Sequence, residues 1–226
     1  MKISIIHPSR SRADQAYNTY RNWMEKACNW LDIEYILSID SDYIQNETYY
    51  RAFYSFKNSI KVVCMNNKNA IQAINNAAKV ATGDLFVVIS DDFDCPEHWD
   101  TLLLKEIEGK SDFLLKTDDG LQRTLVTLPI MDREYYNRFG YIYHPDYQHM
   151  HADEEMTIVA IMLGRYIKCD LKFEHLHYST GKTPKDAINS KNDATWSHGQ
   201  RTLDRRAMND FGIDNPLCKR EQIIWR

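Results

Sequence analysis

Along the first 110 residues, short apolar runs alternate with longer stretches whose apolar residues recur every three or four positions. Residues 2–7, 33–39, 61–65 and 85–89 read as strands. Between them, residues 13–31 set Tyr17, Tyr20, Trp23, Met24, Ala27 and Leu31 at helical spacing, with Trp23 and Trp30 as core residues. Residues 70–81 read as a second helix closed by Gly83, and residues 96–107 as a third. The Tyr-rich stretch 43–56 shows no readable period. Strands alternating with helices of this length predict βαβ units and a mainly parallel sheet flanked by helices, an α/β fold.

The second half is less regular. Residues 113–116, 124–130, 166–169 and 172–176 read as strands, and 133–139 and 155–163 as helices. From Ser179 the chain turns polar, which predicts an extended tail with one helix near residues 200–209, its Arg201–Arg206 stretch a solvated face. The expected organisation is a single domain over 1–226, with halves at 1–110 and 111–180 and a tail at 181–226.

Composition narrows the class. Hydrophobic residues make up 43% and charged residues 27% of 226, ordinary for a globular chain. A net charge of −4 gives no general attraction to polyanions, and no clear nucleic-acid patch stands out. Five scattered cysteines without a CxxC pair fit free thiols in a reducing compartment. No apolar run reaches the roughly 18 residues that a membrane helix needs. The expectation is a cytoplasmic protein with no membrane partner.

Chemistry enters at the strand ends, where ligands bind in parallel α/β sheets. The apolar run 85–89 stops in Ser90-Asp91-Asp92-Phe93-Asp94, three carboxylates within four positions. Like charges this close destabilise one another unless something positive neutralises them. Mn²⁺ or Mg²⁺ held by one or two carboxylates and substrate phosphates is the usual solution. The plain alternative is an acidic loop before a helix, with Asp94 or Glu97 as helix-start charges. The first strand ends in His7-Pro8-Ser9-Arg10-Ser11-Arg12 and the second in Asp40-Ser41-Asp42, on the same sheet edge.

These features resemble a GT-A-fold glycosyltransferase of the family-2 type, over roughly residues 2–180. The opening Pro8-Ser9-Arg10-Ser11-Arg12 turn resembles the family's Pro-Thr/Ser-x-x-Arg. Asn67-Lys68-Asn69-Ala70-Ile71-Gln72-Ala73-Ile74-Asn75 resembles its Asn-x-Gly-x-x-x-Ala-x-Asn helix start, with Asn69 in place of glycine. Ala81-Thr82-Gly83-Asp84 then leads into the metal strand, and the DXD position falls on Ser90-Asp91-Asp92.

The resemblance implies a GT-A-like, Rossmann-type sheet and metal-dependent transfer of a sugar from a nucleoside-diphosphate donor, UDP favoured, to a hydroxyl acceptor, with inversion. It implies Pro8, Ser9, Arg10, Arg12, Asp40 (or Asp42), Asn69, Asn75 and Asp91 as nucleotide-sugar contacts. In strict register Ser90 replaces the first DXD carboxylate, which leaves Asp92 for the metal and Asp91 or Asp94 for the missing role. His151-Ala152-Asp153-Glu154-Glu155 resembles the family's Glu-Asp motif, so Asp153, or else Glu154, is the expected base; helix capping is the plain reading. In Glu174-His175-Leu176-His177, two histidines on one strand face share a side, and His177 before His175 is the expected late metal ligand. A loop rich in Tyr141, Tyr143, Tyr147, His144, His149 and His151 is a candidate acceptor wall. Rival functions are a metal-dependent nucleotidyltransferase, whose glycine-rich triphosphate loop is missing here, metal-dependent hydrolysis, and a non-catalytic nucleotide- or glycan-binding module with a degenerate donor site.

Overall fold

In a computed structural model, residues 1–41, 43–56 and 59–223 are described. The elements in chain order are β1 (Ile3–Pro8), α1 (Ala13–Glu25), β2 (Ile33–Asp40), α2 (Tyr43–Phe53), β3 (Ile60–Met65), α3 (Ala70–Val80), β4 (Leu85–Val88), β5 (Phe93–Asp94) and α4 (Trp99–Glu106). They continue with β6 (Leu114–Asp118), β7 (Ile130–Asp132), α5 (Arg133–Asn137), α6 (Ala152–Met162), β8 (Tyr166–Lys172), β9 (Glu174–His175), α7 (Ala187–Asp193) and α8 (Trp196–Ala207).

Seven strands form one sheet in the order β3-β2-β1-β4-β7-β6-β8. The pairs β3–β2, β2–β1, β1–β4 and β6–β8 are parallel, and β7 runs antiparallel to both its neighbours. A small antiparallel pair, β5–β9, sits apart and sets Phe93 opposite His175 and Asp94 opposite Glu174. The α/β, mainly parallel expectation therefore holds.

Strand alternation divides the core. Ile3, Ile5, Leu37, Leu85 and Val87 face the side covered by Trp23, Phe53, Trp99 and Leu103. Ile6, Ile36, Phe86 and Val88 face the side covered by Ile71, Ile74, Met156, Ile158 and Leu203. Both faces of the central strands are buried, which is why they read as continuous apolar runs rather than alternating ones.

Several expectations change. The first helix ends at Glu25 instead of running to Leu31; a 3₁₀ turn at Trp30–Asp32 follows. Trp23 is fully buried as expected, but Trp30 is 58% and Leu31 79% exposed, so neither is core. The unread Tyr-rich stretch is mainly α2, which buries Tyr49 and Phe53 and leaves Tyr50 exposed; a 3₁₀ turn at Tyr54–Phe56 follows, with Tyr54 exposed. Of the strand expected at 124–130, only Ile130 belongs to β7. Val126 and Leu128 are buried in irregular backbone, where the Val126 N–H donates to Thr157 Oγ1 at 3.0 Å. The tail carries two helices, not one. Nor is α8 simply solvated: Gly199, Thr202 and Leu203 are buried, and Arg206 Nε donates to both oxygens of buried Glu155 at 2.8 and 2.7 Å.

Gly83 does not cap α3. Ala81, in extended conformation, ends that helix. Gly83 is instead required by a close approach: an added Cβ would lie 2.6 Å from Ser4 Oγ, 2.7 Å from Ser4 N and 2.9 Å from Lys2 O. Two of these atoms are backbone of the central strand region and cannot swing away. Gly83→Ala should therefore cost about 1–3 kcal/mol, an overpacking penalty, read as a lower denaturant midpoint at unchanged slope. A midpoint within error of wild type would contradict this packing.

Candidate functional site at the sheet edge

The carboxyl ends of β1, β2 and β4 carry the expected cluster, but its charges are resolved residue by residue. Asp91 turns inward. Its Oδ1 lies 2.9 Å from His7 Nε2, Ser9 Oγ donates to both its oxygens at 3.0 and 3.1 Å, and Arg12 Nη1 stands 3.8 Å from Oδ2. Thr19 Oγ1 donates to the Asp91 carbonyl at 3.1 Å, which fixes the turn to α1. Asp94 turns away towards α1, where Lys26 Nζ donates at 2.7 Å and Asn22 also donates. Burial opposes that charge, but Lys26 and Asn22 more than offset it and depress the Asp94 pKa.

Asp92 alone of the three has no lysine or arginine ion-pair partner among the described residues. Ser90 Oγ donates to its Oδ1 at 2.5 Å, and His175 Nε2 stands 3.4 Å from its Oδ2. Burial raises its pKa, yet His175, Ser90 and the Arg12 charge outweigh burial and hold it down at about 2. The sequence premise of three carboxylates awaiting one cation is thus corrected: protein cations neutralise two of them.

His175 reaches Asp92 because β9 pairs with β5; its ring stacks on Phe93 at 4.2 Å, and its Nδ1 is buried without a partner among the described residues. The His177 ring lies 5.1 Å from that of His175, and its Nδ1 is 2.8 Å from Ser179 Oγ. Burial, then the neighbouring His175, lowers the His177 pKa. His149 senses the same group: burial lowers its pKa first, with the charges of Asp193 and Asp92 opposing. Among the described residues, no group of three or more His, Cys, Asp or Glu side chains is arranged to hold a metal ion. One carboxylate with one or two imidazoles nevertheless fits a cation that draws its remaining ligands from phosphate and water, as Mg²⁺ and Mn²⁺ do.

Arg12 is the principal cation here. Nε and Nη2 donate to the two Asp186 oxygens at 2.7 Å each, a bidentate clamp across 174 residues. Burial works against the Arg12 charge, but Asp186, Asp91 and Asp92 raise its pKa. Asp186 also caps α7 through a reciprocal pair with Asn189. Arg10 is ion-paired with Asp40, which also accepts from Asn67 Nδ2 at 3.0 Å. Asp42 lies outside the described residues. Pro8 is the last residue of β1, in register with Ser38.

Two expected nucleotide contacts hold structural posts instead. Asn69 caps α3 by accepting the Gln72 N–H at 2.9 Å. Asn75 is buried, donates to the Tyr143 carbonyl at 2.7 Å and accepts the Ile142 N–H at 3.0 Å, which anchors the tyrosine-rich loop. Tyr49, whose hydroxyl lies 2.7 Å from Ser9 Oγ, and Asp186 belong to the site but were not foreseen. An Asp-x-x-Asn capping pattern was visible at Asp186, but nothing in it names Arg12 as a partner.

On the other side, α6 begins at His151, which adopts a left-handed backbone at φ 68° and serves as N-cap without a side-chain cap bond. Asp153 is therefore not the cap. It sits in the first turn, its Oδ1 accepts the Glu154 N–H at 2.9 Å, and it has no ion-pair partner among the described residues. Burial raises its pKa to about 6 against the pull of that backbone bond. The buried Tyr143 phenol feels the Asp153 charge, after burial, in its own raised pKa. Glu154 is engaged by His151 Nδ1 at 2.9 Å and Arg220 at 3.6 Å.

The profile of glycosyl transferase family 2 matches residues 4–121. No curated protein matches the sequence. Among solved structures, the mannosyltransferase PcManGT from Pyrobaculum calidifontis, in complex with GDP-Man and Mn²⁺, superposes with a TM-score of 0.68 at 15% identity, over 95% of this chain and 65% of that one. S. aureus TarS 1–349 gives 0.58 at 15% identity, over 96% and 76%. Glucosyl-3-phosphoglycerate synthase from Mycobacterium tuberculosis, in complex with Mn²⁺, UDP and phosphoglyceric acid, gives 0.58 at 15% identity, over 86% and 76%. The chain thus spans 65%, less than two-thirds, of the first of these structures, and at such identities the likeness is one of fold. The family profile covers more than half of the chain and includes both the Pro8–Arg12 turn and the Asp91–Asp94 cluster, so the chain belongs to glycosyl transferase family 2.

Proposed function

We propose that this chain transfers a sugar from a nucleoside-diphosphate donor, UDP favoured, to a hydroxyl acceptor, with a divalent cation at Asp92 and with inversion. One observation carries the reading. Of the three clustered carboxylates only Asp92 is without a lysine or arginine ion-pair partner among the described residues, and it lies between Ser90 and His175 beyond the end of β4. Solved structures of the same fold hold GDP-Man or UDP with Mn²⁺, which supports this kind of ligand.

Asp92, with His175 and His177, would hold Mn²⁺ or Mg²⁺. When bound, such an ion supplies Lewis acidity and neutralises charge on the diphosphate leaving group. Arg12 stands beside Asp91 and Asp92 and pairs a phosphate bidentately once it exchanges one Asp186 bond for it. Asp40 and Arg10, on the neighbouring strand ends, take the nucleoside end. Asp153 accepts the proton of the attacking hydroxyl. A carboxylate with a pKa of about 6 is a stronger base than an ordinary aspartate yet stays ionised at neutral pH.

The test is ³¹P NMR of the chain with UDP- and GDP-sugars and Mn²⁺, with a mixture of simple glycosides as acceptors. The expected result is appearance of the nucleoside diphosphate. Release of nucleoside monophosphate or sugar phosphate would instead indicate nucleotidyl or phosphohydrolase chemistry.

A further inference from the structure

A second cavity lies outside the cluster just described. It measures about 480 Å³, is open to solvent and is lined by Asp146, His198, Arg201, Thr202 and Arg205. The last four occupy positions i, i+3, i+4 and i+7 of α8, so they share one face of the helix. Asp146 forms the opposite wall, from the tyrosine-rich loop.

The charges in this groove do not cancel. Arg205 Nη2 donates to Asp146 Oδ2 at 2.6 Å, so the only acid in the lining is already paired. The Arg201 side chain makes no hydrogen bond or ion pair among the described residues. His198 Nδ1 is buried and has no partner among them. Buried polar atoms are ordinarily satisfied, so an orphaned imidazole nitrogen beside a free guanidinium marks a place where a polar ligand is missing. One uncompensated positive charge here stands against a net charge of −4 for the chain.

The helix that carries these groups is firmly seated. Leu203 is fully buried, Arg206 is locked to Glu155, and Gly199 packs so tightly that a Cβ there would lie 2.1 Å from the Met150 carbonyl oxygen. The backbone that carries the groove is therefore fixed, which lowers the cost of binding. The same helix also packs on the turn that carries the proposed base: Trp196 meets the His151 ring at 4.4 Å. Gly199, next to His198, abuts Met150 and His151, two residues before Asp153.

We propose that this groove binds a phosphate group carried by the acceptor, a role that rests on the transferase reading above. A guanidinium meets two phosphate oxygens with its paired N–H donors, and the Thr202 hydroxyl and the imidazole supply further bonds. The acceptor class is accordingly a phosphorylated polyol or sugar, its hydroxyl turned towards Asp153.

The probes are glycerol 3-phosphate, inorganic phosphate and uncharged glycerol, titrated into the full chain while the histidine ring signals are followed by NMR. Glycerol 3-phosphate is expected to move the His198 signals saturably, to bind more tightly than inorganic phosphate, and to bind at least ten-fold more weakly to Arg201→Gln. Glycerol should move nothing. Equal binding of inorganic phosphate would reduce the groove to a simple ion site and overturn the proposal, as would unchanged binding by Arg201→Gln. A wild-type chain that binds glycerol 3-phosphate here but shows no nucleotide-dependent melting shift would keep the site and overturn its part in transfer.

Discussion

Replacing Asp153 by asparagine is expected to abolish transfer and, at the same pH, to make the protein more stable. Both effects follow from one fact, a carboxylate whose burial raises its pKa to about 6. As a base, Asp153 should contribute about 10²–10⁴-fold to the rate, and the amide cannot accept the proton. The wild-type rate should rise with pH through about 6 and then level off, and the residual rate of Asp153→Asn should not follow that limb.

The stability sign runs the other way. A group whose folded pKa lies above its unfolded value favours folding below the unfolded pKa, near 3.8, and loses that contribution as pH rises through 6. At pH 7.5 the native state therefore holds an ionised carboxylate at a cost, which asparagine removes. A difference of about two pKa values corresponds to at most about 3 kcal/mol, and partial solvent access reduces this to about 1–3 kcal/mol. The gain should vanish near pH 4. A variant that is both inactive and less stable at pH 7.5 would make Asp153 a structural residue instead.

The second large effect is expected at Asp92. Asp92→Asn should lower transfer by about 10²–10³-fold, since the ion it would hold is worth several kcal/mol at the leaving group. In metal-free buffer the same variant should lose about 1–2 kcal/mol at neutral pH. The wild-type carboxylate, depressed to about 2 by His175 and Ser90 against burial, stabilises the fold above its unfolded pKa near 3.8 and loses that contribution as pH falls towards 2. The two substitutions thus move stability in opposite directions while both remove activity. Loss of stability in both would mean that their environments are not distinguished as the geometry requires.

Much of this was legible along the chain, for identifiable reasons. β1, β2 and β4 announce themselves because a parallel strand covered on both faces must be apolar throughout, whereas the edge strand β3 is a short apolar run that leaves Val62 and Met65 exposed. α3 is legible because its apolar positions recur at helical spacing, and α6 because its apolar run is longer than a strand needs. α2 was not, because tyrosines on its buried and exposed faces look alike: Tyr49 is 2% and Tyr50 59% exposed. The helix expected to reach Leu31 stops at Glu25 because the residues beyond it turn back towards β2 and carry Trp30 and Leu31 into solvent.

The site was legible as a set of strand ends but not as a set of partners. Asp91, Asp92 and Asp94 are alike in sequence. What separates them is the direction each side chain takes: towards His7, Ser9 and Arg12, towards His175, or towards Lys26 and Asn22. Those partners lie 68 to 84 positions away in the chain. The Arg12–Asp186 clamp, spanning 174 positions, is visible only once the tail has folded back across the sheet edge.

The most direct test is the melting temperature of wild type and Asp92→Asn with UDP, GDP, CDP and ADP, each with and without Mn²⁺. At a hundred times its dissociation constant a ligand stabilises the native state by about 2.7 kcal/mol, a shift of several degrees. The account predicts that one nucleotide raises the wild-type melting temperature only with Mn²⁺, and that Asp92→Asn loses this response. A nucleotide shift that ignores Mn²⁺ and survives in Asp92→Asn, or no shift with any nucleotide, would contradict it.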